Sequence, residues 1–341
     1  MAGAGYRTFA SGEVLTSTNV QTYLMDQAVQ VYAGTAARAS AVPSPSTGMV
    51  AYATATGLQV FNGSAWVSVG GTGYGAATGG QSTATATISG VNYTILTFTA
   101  TGTLTNTTAG FFDFLAIGGG TGGLANAVSG GRGGGGGGAG QVVFGSVYLS
   151  ANQTITIGAG GSFFATGTNF SQGGNTSIAA TSPFTQTALG GLAETGPEAN
   201  SQGFVGGGAG STNATTGKAI AGSAAMGFQG GNSTGADNGG GGGSSQGVGG
   251  NGSGTTGGAG AAGVDISSFV GGAAAYKASG GGGGGTVTGG AGGSSLGNNG
   301  TTNSTPTSAA ANTGAGGGGG VGTVYTTGNG GSGICYIRFR T

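Results

Sequence analysis

Between Gly118 and Gly333 oligoglycine runs recur: Gly118–Gly120, Gly133–Gly138, Gly206–Gly208, Gly239–Gly243, Gly280–Gly285 and Gly316–Gly320. Short inserts rich in Ser, Thr, Asn and Ala, with a few aromatics, separate them. A glycine costs about 0.5–1 kcal/mol more than an alanine to order in regular structure, because its unfolded backbone is freer. With 90 glycines, the extra cost is on the order of tens of kcal/mol. The region is therefore either disordered or ordered by something only glycine permits. The second option is close backbone-to-backbone packing. Glycine in a polyproline-II-like helix has about three residues per turn and no side chains to hold neighbours apart. Such helices can lie side by side through N–H···O bonds, helped by Cα–H···O contacts of about 0.5–1 kcal/mol each.

Composition narrows the function classes. The 341 residues include seven basic and seven acidic side chains, no histidine and one cysteine. Disordered chains of the usual kind are kept soluble by high net charge, which is missing here. Collagen is excluded, since proline is rare and no Gly-X-Y register is sustained. Scattered basic residues, from Arg7 to Arg340, exclude a phosphate-binding surface, so no nucleic-acid partner is expected. One cysteine, Cys335, cannot build an intrachain disulfide framework. The N-terminal Met1-Ala-Gly-Ala-Gly lacks a basic segment followed by an apolar one, so no secretory signal is expected. No run of about 18 apolar residues occurs, so no membrane insertion is expected.

Residues 1–70 differ from the rest. Thr16 or Ser17 can cap a helix over roughly Asn19–Ala33, ended by Gly34. Val20, Leu24, Ala28 and Val31 fall on one apolar stripe of that helix and are the expected oligomerisation residues. A stripe on so short a helix needs a partner, either a sheet of the same chain or copies of itself about a symmetry axis. Strands are expected at Met49–Ala53, Leu58–Phe61 and Ala65–Val69, with Asn62-Gly63 signalling a type I′ hairpin. This reads as a small α+β module.

The series Phe9, Gly12-Glu-Val14-Leu15-Thr16, Val20, Tyr23-Leu24-Met-Asp26-Gln27, Ala37-Arg38, Pro43, Gly48-Met49-Val50 and Val60-Phe61-Asn-Gly63-Ser-Ala-Trp66 resembles the N-terminal segment of many tailed-phage tail and fibre proteins. The resemblance implies a virion-attachment or oligomerisation module over residues 1–70.

Residues 71–82 read as a Gly/Ser/Thr linker. Beyond it, strands are expected at Thr83–Ile88, Tyr93–Ala100, Phe111–Ile117, Val142–Leu149, Thr154–Ile157 and Ile334–Arg340. In the last of these Cys335, Ile337 and Phe339 share one face, and Ile334, Tyr336 and Arg338 the other. If that strand returns to earlier ones, the glycine region is clamped between ordered ends. The expected fold class is mainly β: the small α+β module, then a β-rich domain over 83–341 with polyproline-II-like tracts.

Phe98-Thr-Ala-Thr-Gly102, Phe114-Leu-Ala-Ile-Gly-Gly-Gly120, Gly133–Gly140-Gln-Val142-Val143, Thr154-Ile-Thr-Ile-Gly158-Ala-Gly160-Gly161 and Gly330-Gly-Ser-Gly-Ile334-Cys-Tyr-Ile-Arg338 resemble the glycine-rich domain of phage tail proteins. The layout is also similar to the polyglycine-sandwich tip adhesins of T-even-type phages. That likeness implies parallel polyglycine helices as core, with the intervening loops binding the host.

Catalysis is not expected. Without histidine, Ser-His-Asp, Cys-His and His-metal sites are ruled out. Gly217-Lys218-Ala219 lacks the hydroxyl a phosphate loop needs for magnesium. Glu194 and Glu198 flank a Gly196-Pro197 turn and make a poor acid–base pair. No cofactor or metal is expected. What remains are the aromatics that interrupt polar inserts, among them Phe163, Phe164, Phe170, Phe269 and Tyr276. Each either plugs the edge of a glycine layer or stands at a loop tip, where a ring among Asn, Gln, Ser and Thr donors suits a receptor.

The resemblances imply a structural virion protein of a tailed phage, a tail-fibre or adhesin component, built in the host cytoplasm. Its expected partners are other virion proteins through the first module, further copies of itself as a homotrimer, and a host-surface polysaccharide or outer-membrane protein. The alternative is a capsid or tail decoration protein without receptor binding.

Overall fold

The computed structural model describes residues 10–20, 29–54, 56–69, 73–124, 132–162, 172–179, 185–191, 227–296, 299–302, 304, 306, 308–321 and 328–341. The chain divides into two compact units, Met1–Gly73 and Tyr74–Thr341.

In the first unit one turn of helix, α1 (Ser17–Val20), starts where expected. Thr16 Oγ1 accepts the Asn19 N–H at 3.1 Å, which satisfies a donor that the first turn leaves unpaired. The helix predicted through Ala33 does not continue that far. Gln30–Tyr32 is strand β1, parallel to β2 (Val50–Ala53), with α2 (Thr35–Ala41) crossing between them. A Gln-Val-Tyr segment beside an open sheet edge gains ladder bonds that outweigh weak helix propensity. Of the predicted stripe, Val31 is on that strand and Val20 closes α1, while Leu24 and Ala28 lie outside the described residues.

Strands β3 (Gly57–Phe61) and β4 (Trp66–Ser68) complete a sheet of order β1-β2-β3-β4. The hairpin at Asn62-Gly63 exists, but not as a two-residue turn. Phe61 pairs with Trp66, the Asn62 N–H bonds Ala65 O at 3.0 Å, and Asn62 Oδ1 accepts from the N–H of Ser64 and Ala65. An asparagine that closes the loop with its own side chain favours this four-residue form.

The second unit has strands β5 (Ala76–Thr78), β6 (Ser82–Ile88), β7 (Val91–Phe98), β8 (Gly102–Thr108), β9 (Gly110–Ile117), β10 (Val142–Leu149), β11 (Gln153–Thr156), β12 (Thr176–Ala179) and β13 (Gln186–Ala188). An insert follows with β14 (Val264–Asp265), α3 (Ser267–Val270) and β15 (Tyr276–Lys277), and then β16 (Ile334–Arg340). Residues 76–78 were expected within the linker; they are instead an edge strand paired with β8. Two five-stranded sheets form, β10-β9-β16-β7-β6 and β13-β12-β11-β8-β5.

The sheets face each other across one core. Leu96, Phe98, Phe112, Phe114, Cys335, Ile337 and Phe339 of the first sheet meet Leu104, Ile155, Ile178 and Ala188 of the second. Ile334 and Tyr336 point the other way, into a second cluster with Tyr93, Ile95, Leu115 and Ile117. The alternation read from the sequence of β16 is thus the partition between two cores.

At one end of this sandwich the strands run on as glycine threads. β9 continues into 118–124, β11 into 158–162 and β13 into 189–191, while 133–141, 173–175 and 328–333 lead into β10, β12 and β16. Hydrogen bonds along the threads step by three residues. Gly118, Thr121 and Leu124 donate to Gln141, Gly138 and Gly135, whereas Gly120 and Gly123 donate to Gly331 and Gly328. Gly119 donates to Gly174, and the carbonyls of 119, 120 and 121 accept from Gly191, Gly161 and Gly317. A threefold helix directs successive peptide groups about 120° apart, so an inner thread bonds to segments on all sides. Gly134, Gly137 and Gly140 likewise reach Gly320, Gly317 and Gly314, an antiparallel neighbour, and Gly136 and Ala139 reach Gly240 and Gly243, a parallel one.

Glycine is obligatory there for lack of space. A Cβ on Gly281 would lie 2.0 Å from the carbonyl oxygen of Gly317. The described glycine threads are therefore a close-packed bundle of bare backbones, tied by N–H groups that find acceptors on neighbouring threads.

Candidate functional site

The ends of the glycine bundle differ. At the sheet end, the insert 264–278 joins two threads and folds back onto the sandwich. Asp265 Oδ1 accepts from the N–H of Ser267 and Ala275, each at 2.9 Å, and closes the insert on itself. Those two backbone bonds hold its carboxyl below the ordinary carboxylate range. α3 ends at Gly271, whose φ of +77° suits glycine. The helix lays Phe269 and Ile266 on the outer face of the first sheet. Arg338 of β16 fastens it: Nη1 donates to Phe269 O at 2.8 Å and Ser268 O at 3.2 Å, and Nε pairs with Asp113 at 3.2 Å. The guanidinium lies between the rings of Phe269 (4.2 Å) and Tyr93 (4.5 Å). Lys277 donates to Asn312 O at 2.8 Å, and its partial burial lowers its pKa.

At the far end the threads turn in short loops, of which 233–238, 253–256 and 286–288 are described. Buried Asn238 stitches the first two: its Nδ2 donates to Gly254 O at 2.9 Å and its Oδ1 accepts the Thr234 N–H at 3.0 Å. Thr234 Oγ1 reaches Gly252 O, and Ser233 Oγ reaches Asn238 O. The third loop is tied in by Thr286 N to Asp237 O and Val287 N to Thr255 O, both at 3.0 Å. The exposed surface is then a small polar plateau of Thr234, Asp237, Thr255, Thr256 and Thr288 around Val287, which is 68% exposed.

The first unit offers a different surface. Register puts Val31, Tyr52, Leu58 and Val69 in one cross-strand row and Val50, Val60 and Val67 in the next, all on one face. Val31 is 72% exposed and Tyr52, Leu58, Val67 and Val69 are each partly so. The opposite face is covered by α2, whose buried Arg38 stacks on Trp66 at 4.5 Å and donates to Gln59 Oε1. The arrangement inverts the usual one for a small sheet, with the charge inside and the apolar row outside. Exposed apolar surface of this kind makes the face a candidate interaction surface.

Of the sequence-predicted receptor residues, the two described ones, Phe269 and Tyr276, are at the sheet end and not at the loop end. Phe269 is buried in the core at the sheet end, so it is an anchor and not a loop tip. Tyr276, half-exposed on β15, belongs to the same insert. Phe163, Phe164 and Phe170 lie outside the described residues. The plateau had no aromatic signal to betray it; its one cue was Thr-Val-Thr and Ser-Gly-Thr-Thr interrupting glycine runs. The apolar face of the first unit also escaped, because its rows depend on strand register.

Among the described residues, no three of His, Cys, Asp and Glu stand close enough to hold a metal ion. No helix among them is long and apolar enough to cross a membrane. Comparison with curated proteins gives no match. A family of known sequences does match, over residues 97–340, under the description glycine-rich domain. That span takes in β8 to β16 and the whole described bundle, and the chain belongs to this glycine-rich domain family.

Proposed function

We propose that this chain is a structural virion protein of a tailed bacteriophage, a tail-fibre or adhesin component that recognises the host surface without covalent chemistry. The observation that carries the reading is the loop end of the glycine bundle. Loops 233–238, 253–256 and 286–288 are stitched together by side-chain and backbone bonds on a base that has no side chains to rearrange. Such a plateau is pre-organised, and pre-organisation lowers the entropic cost of binding. A polar surface of hydroxyls and one carboxylate, Asp237, around one apolar residue suits a polysaccharide or an outer-membrane protein loop. Each contact would be weak, and repeated copies would convert weak contacts into avidity.

The apolar face of the first unit supports the rest of the reading, in which that unit associates with other virion proteins and with further copies of itself, as a homotrimer. The test is imaging of the intact particle with this chain traced. We expect three copies per site, with the Val31–Tyr52–Leu58–Val69 row covered and residues 253–256 and 286–288 turned toward the host. A position away from any host-facing tip would leave the decoration-protein reading in its place.

A further inference from the structure

The outer face of the first sheet is only half covered. The covered part is the β6–β7 side, where the insert 264–278 packs with Tyr93, Ile95, Ala86 and Ile88 and reaches Tyr336, Tyr93 standing opposite Arg340. The β9–β10 side is open: Phe144 of β10, opposite Leu115, is 76% exposed. There Tyr148 of β10 stands directly opposite Phe111 of β9, with ring centroids 5.4 Å apart and planes at 75°. Tyr74 bridges to Phe111 from the opposite flank, and the Arg340 guanidinium stacks on the Tyr74 ring at 4.6 Å. Tyr148 and Phe111 are 57% and 49% exposed, and Arg340 is also exposed. The nearby Asp113 carboxylate is taken by Arg338 and by the Ser146 hydroxyl at 2.5 Å, so the charged side chain that this row turns outward is that of Arg340.

We propose that this row, Tyr148–Phe111–Tyr74 closed by Arg340, binds a carboxylate-bearing oligosaccharide. Size decides against a protein. Four partly exposed rings, Phe144 of the same strand face included, present on the order of a few hundred Å², short of the ~800 Å² per partner that a stable protein interface needs. Shape decides against a compact apolar ligand, which takes a concave pocket and not a flat sheet. Neighbouring strands about 4.8 Å apart spread the rings over roughly 10 Å, the length of a short run of sugars. Sugar rings have a flat C–H face that can lie on an aromatic and a hydroxyl rim that stays wet. The charge is complementary as well. A guanidinium held flat on Tyr74 keeps its in-plane N–H groups available, and a carboxylate meets them in the forked, two-bond geometry. The site is on a different part of the unit from the loop plateau and does not depend on the virion reading.

The test is calorimetric titration of the full chain with two probes, the hexamer of α-1,4-galacturonate and neutral maltohexaose. The galacturonate hexamer is expected to bind, and Tyr148→Ala and Arg340→Gln are each expected to weaken it by about tenfold or more. Maltohexaose is expected to bind about as weakly to the native chain as galacturonate does to Arg340→Gln. Both substitutions are at exposed positions, and unchanged thermal melting shows the fold intact. Failure of the galacturonate hexamer to bind at millimolar concentration overturns the proposal, as does binding indifferent to both substitutions. Equal binding of maltohexaose overturns the assignment to an acidic sugar. Self-association in sedimentation that Tyr148→Ala abolishes would show a second copy to be the occupant and would equally overturn it.

Discussion

Cys335 and Tyr336 are neighbours on β16 that face opposite ways, one into each core, and burial treats them alike. It pushes the Cys335 thiol from its ordinary 9.0 up to about 12. It pushes the Tyr336 hydroxyl from 10.0 up to about 12, with the Cys335 thiol adding a smaller push. Both groups are neutral in the fold and ionise more readily once unfolded. Their stabilising effect is therefore complete below pH 9 and is lost as pH rises toward 12. Between the two values each group removes about 1.4 kcal/mol per pH unit. Denaturant midpoints measured from pH 8 to 11 should hold to about pH 9 and then fall, and Cys335→Ala should move the onset toward pH 10. A midpoint flat across that range would mean the strand is not buried as described. Arg338, two residues further on, shows how much one side chain can organise: it pairs with Asp113, bonds two helix-end carbonyls and fills the gap between two rings.

At the scale of the element, the threads follow a rule that can be read in sequence once the threefold period is known. In outer threads the residue with a side chain recurs every third position and is the exposed one: Thr156, Ala159 and Ser162, or Thr288 and Ala291. Inner threads such as 280–285 are glycine throughout and buried. Side chains on the outer rim also leave no bare thread for a further polyglycine segment to join, as charged or bulged edges protect a sheet. Gly281→Ala, which drives a Cβ to 2.0 Å from Gly317 O, should cost about 3 kcal/mol or more, because neither backbone can give way. Ala291→Gly, at an exposed position, should cost less than about 1 kcal/mol, the ordinary entropic difference. Chemical denaturation of the two variants checks both. Equal costs would mean that the bundle tolerates side chains and is looser than its hydrogen bonds imply.

For the whole molecule, β16 holds the second unit together from the middle of a sheet. It pairs with β7 and β9, so Cys335 lies beside both Phe98 and Ala116 although more than two hundred residues separate them. Closing so long a loop costs little more than closing a shorter one, since the entropy grows only with the logarithm of length. The bundle then inherits its alignment from six segments that leave the two sheets side by side. Amide exchange should consequently divide the unit by place and not by residue type. Glycines of 118–124, 133–141, 280–285 and 314–320 should exchange as slowly as β9 and β16, while Thr255 and Thr288 at the loop end exchange early. Glycine amides exchanging as fast as those of a random coil would sink the bundle and the host-recognition proposal with it.

Much of this was legible beforehand. Strand signals marked β6, β7, β9, β10, β11 and β16 to within about two residues, and period-two alternation divided β16 between its cores, because alternation is a local property that burial on both faces preserves. Oligoglycine runs announced that something other than side chains had to supply the order. Strands β8, β12 and β13, rich in Thr, Ser, Asn and Gln, had too little apolar signal to be seen. The helix predicted to Ala33 gave way at Gln30–Tyr32 to a parallel strand whose partner lies twenty-one residues on. The sequence alone determined the composition of the second unit's core, its glycine threads and the absence of histidine chemistry. Only the tertiary structure decided which threads are neighbours, where Phe269 goes, and that Tyr148, Phe111, Tyr74 and Arg340 share an open face. The reason is physical: a bare backbone has no side chain with which to specify its partner, so thread neighbours are set by the strands from which the threads emerge.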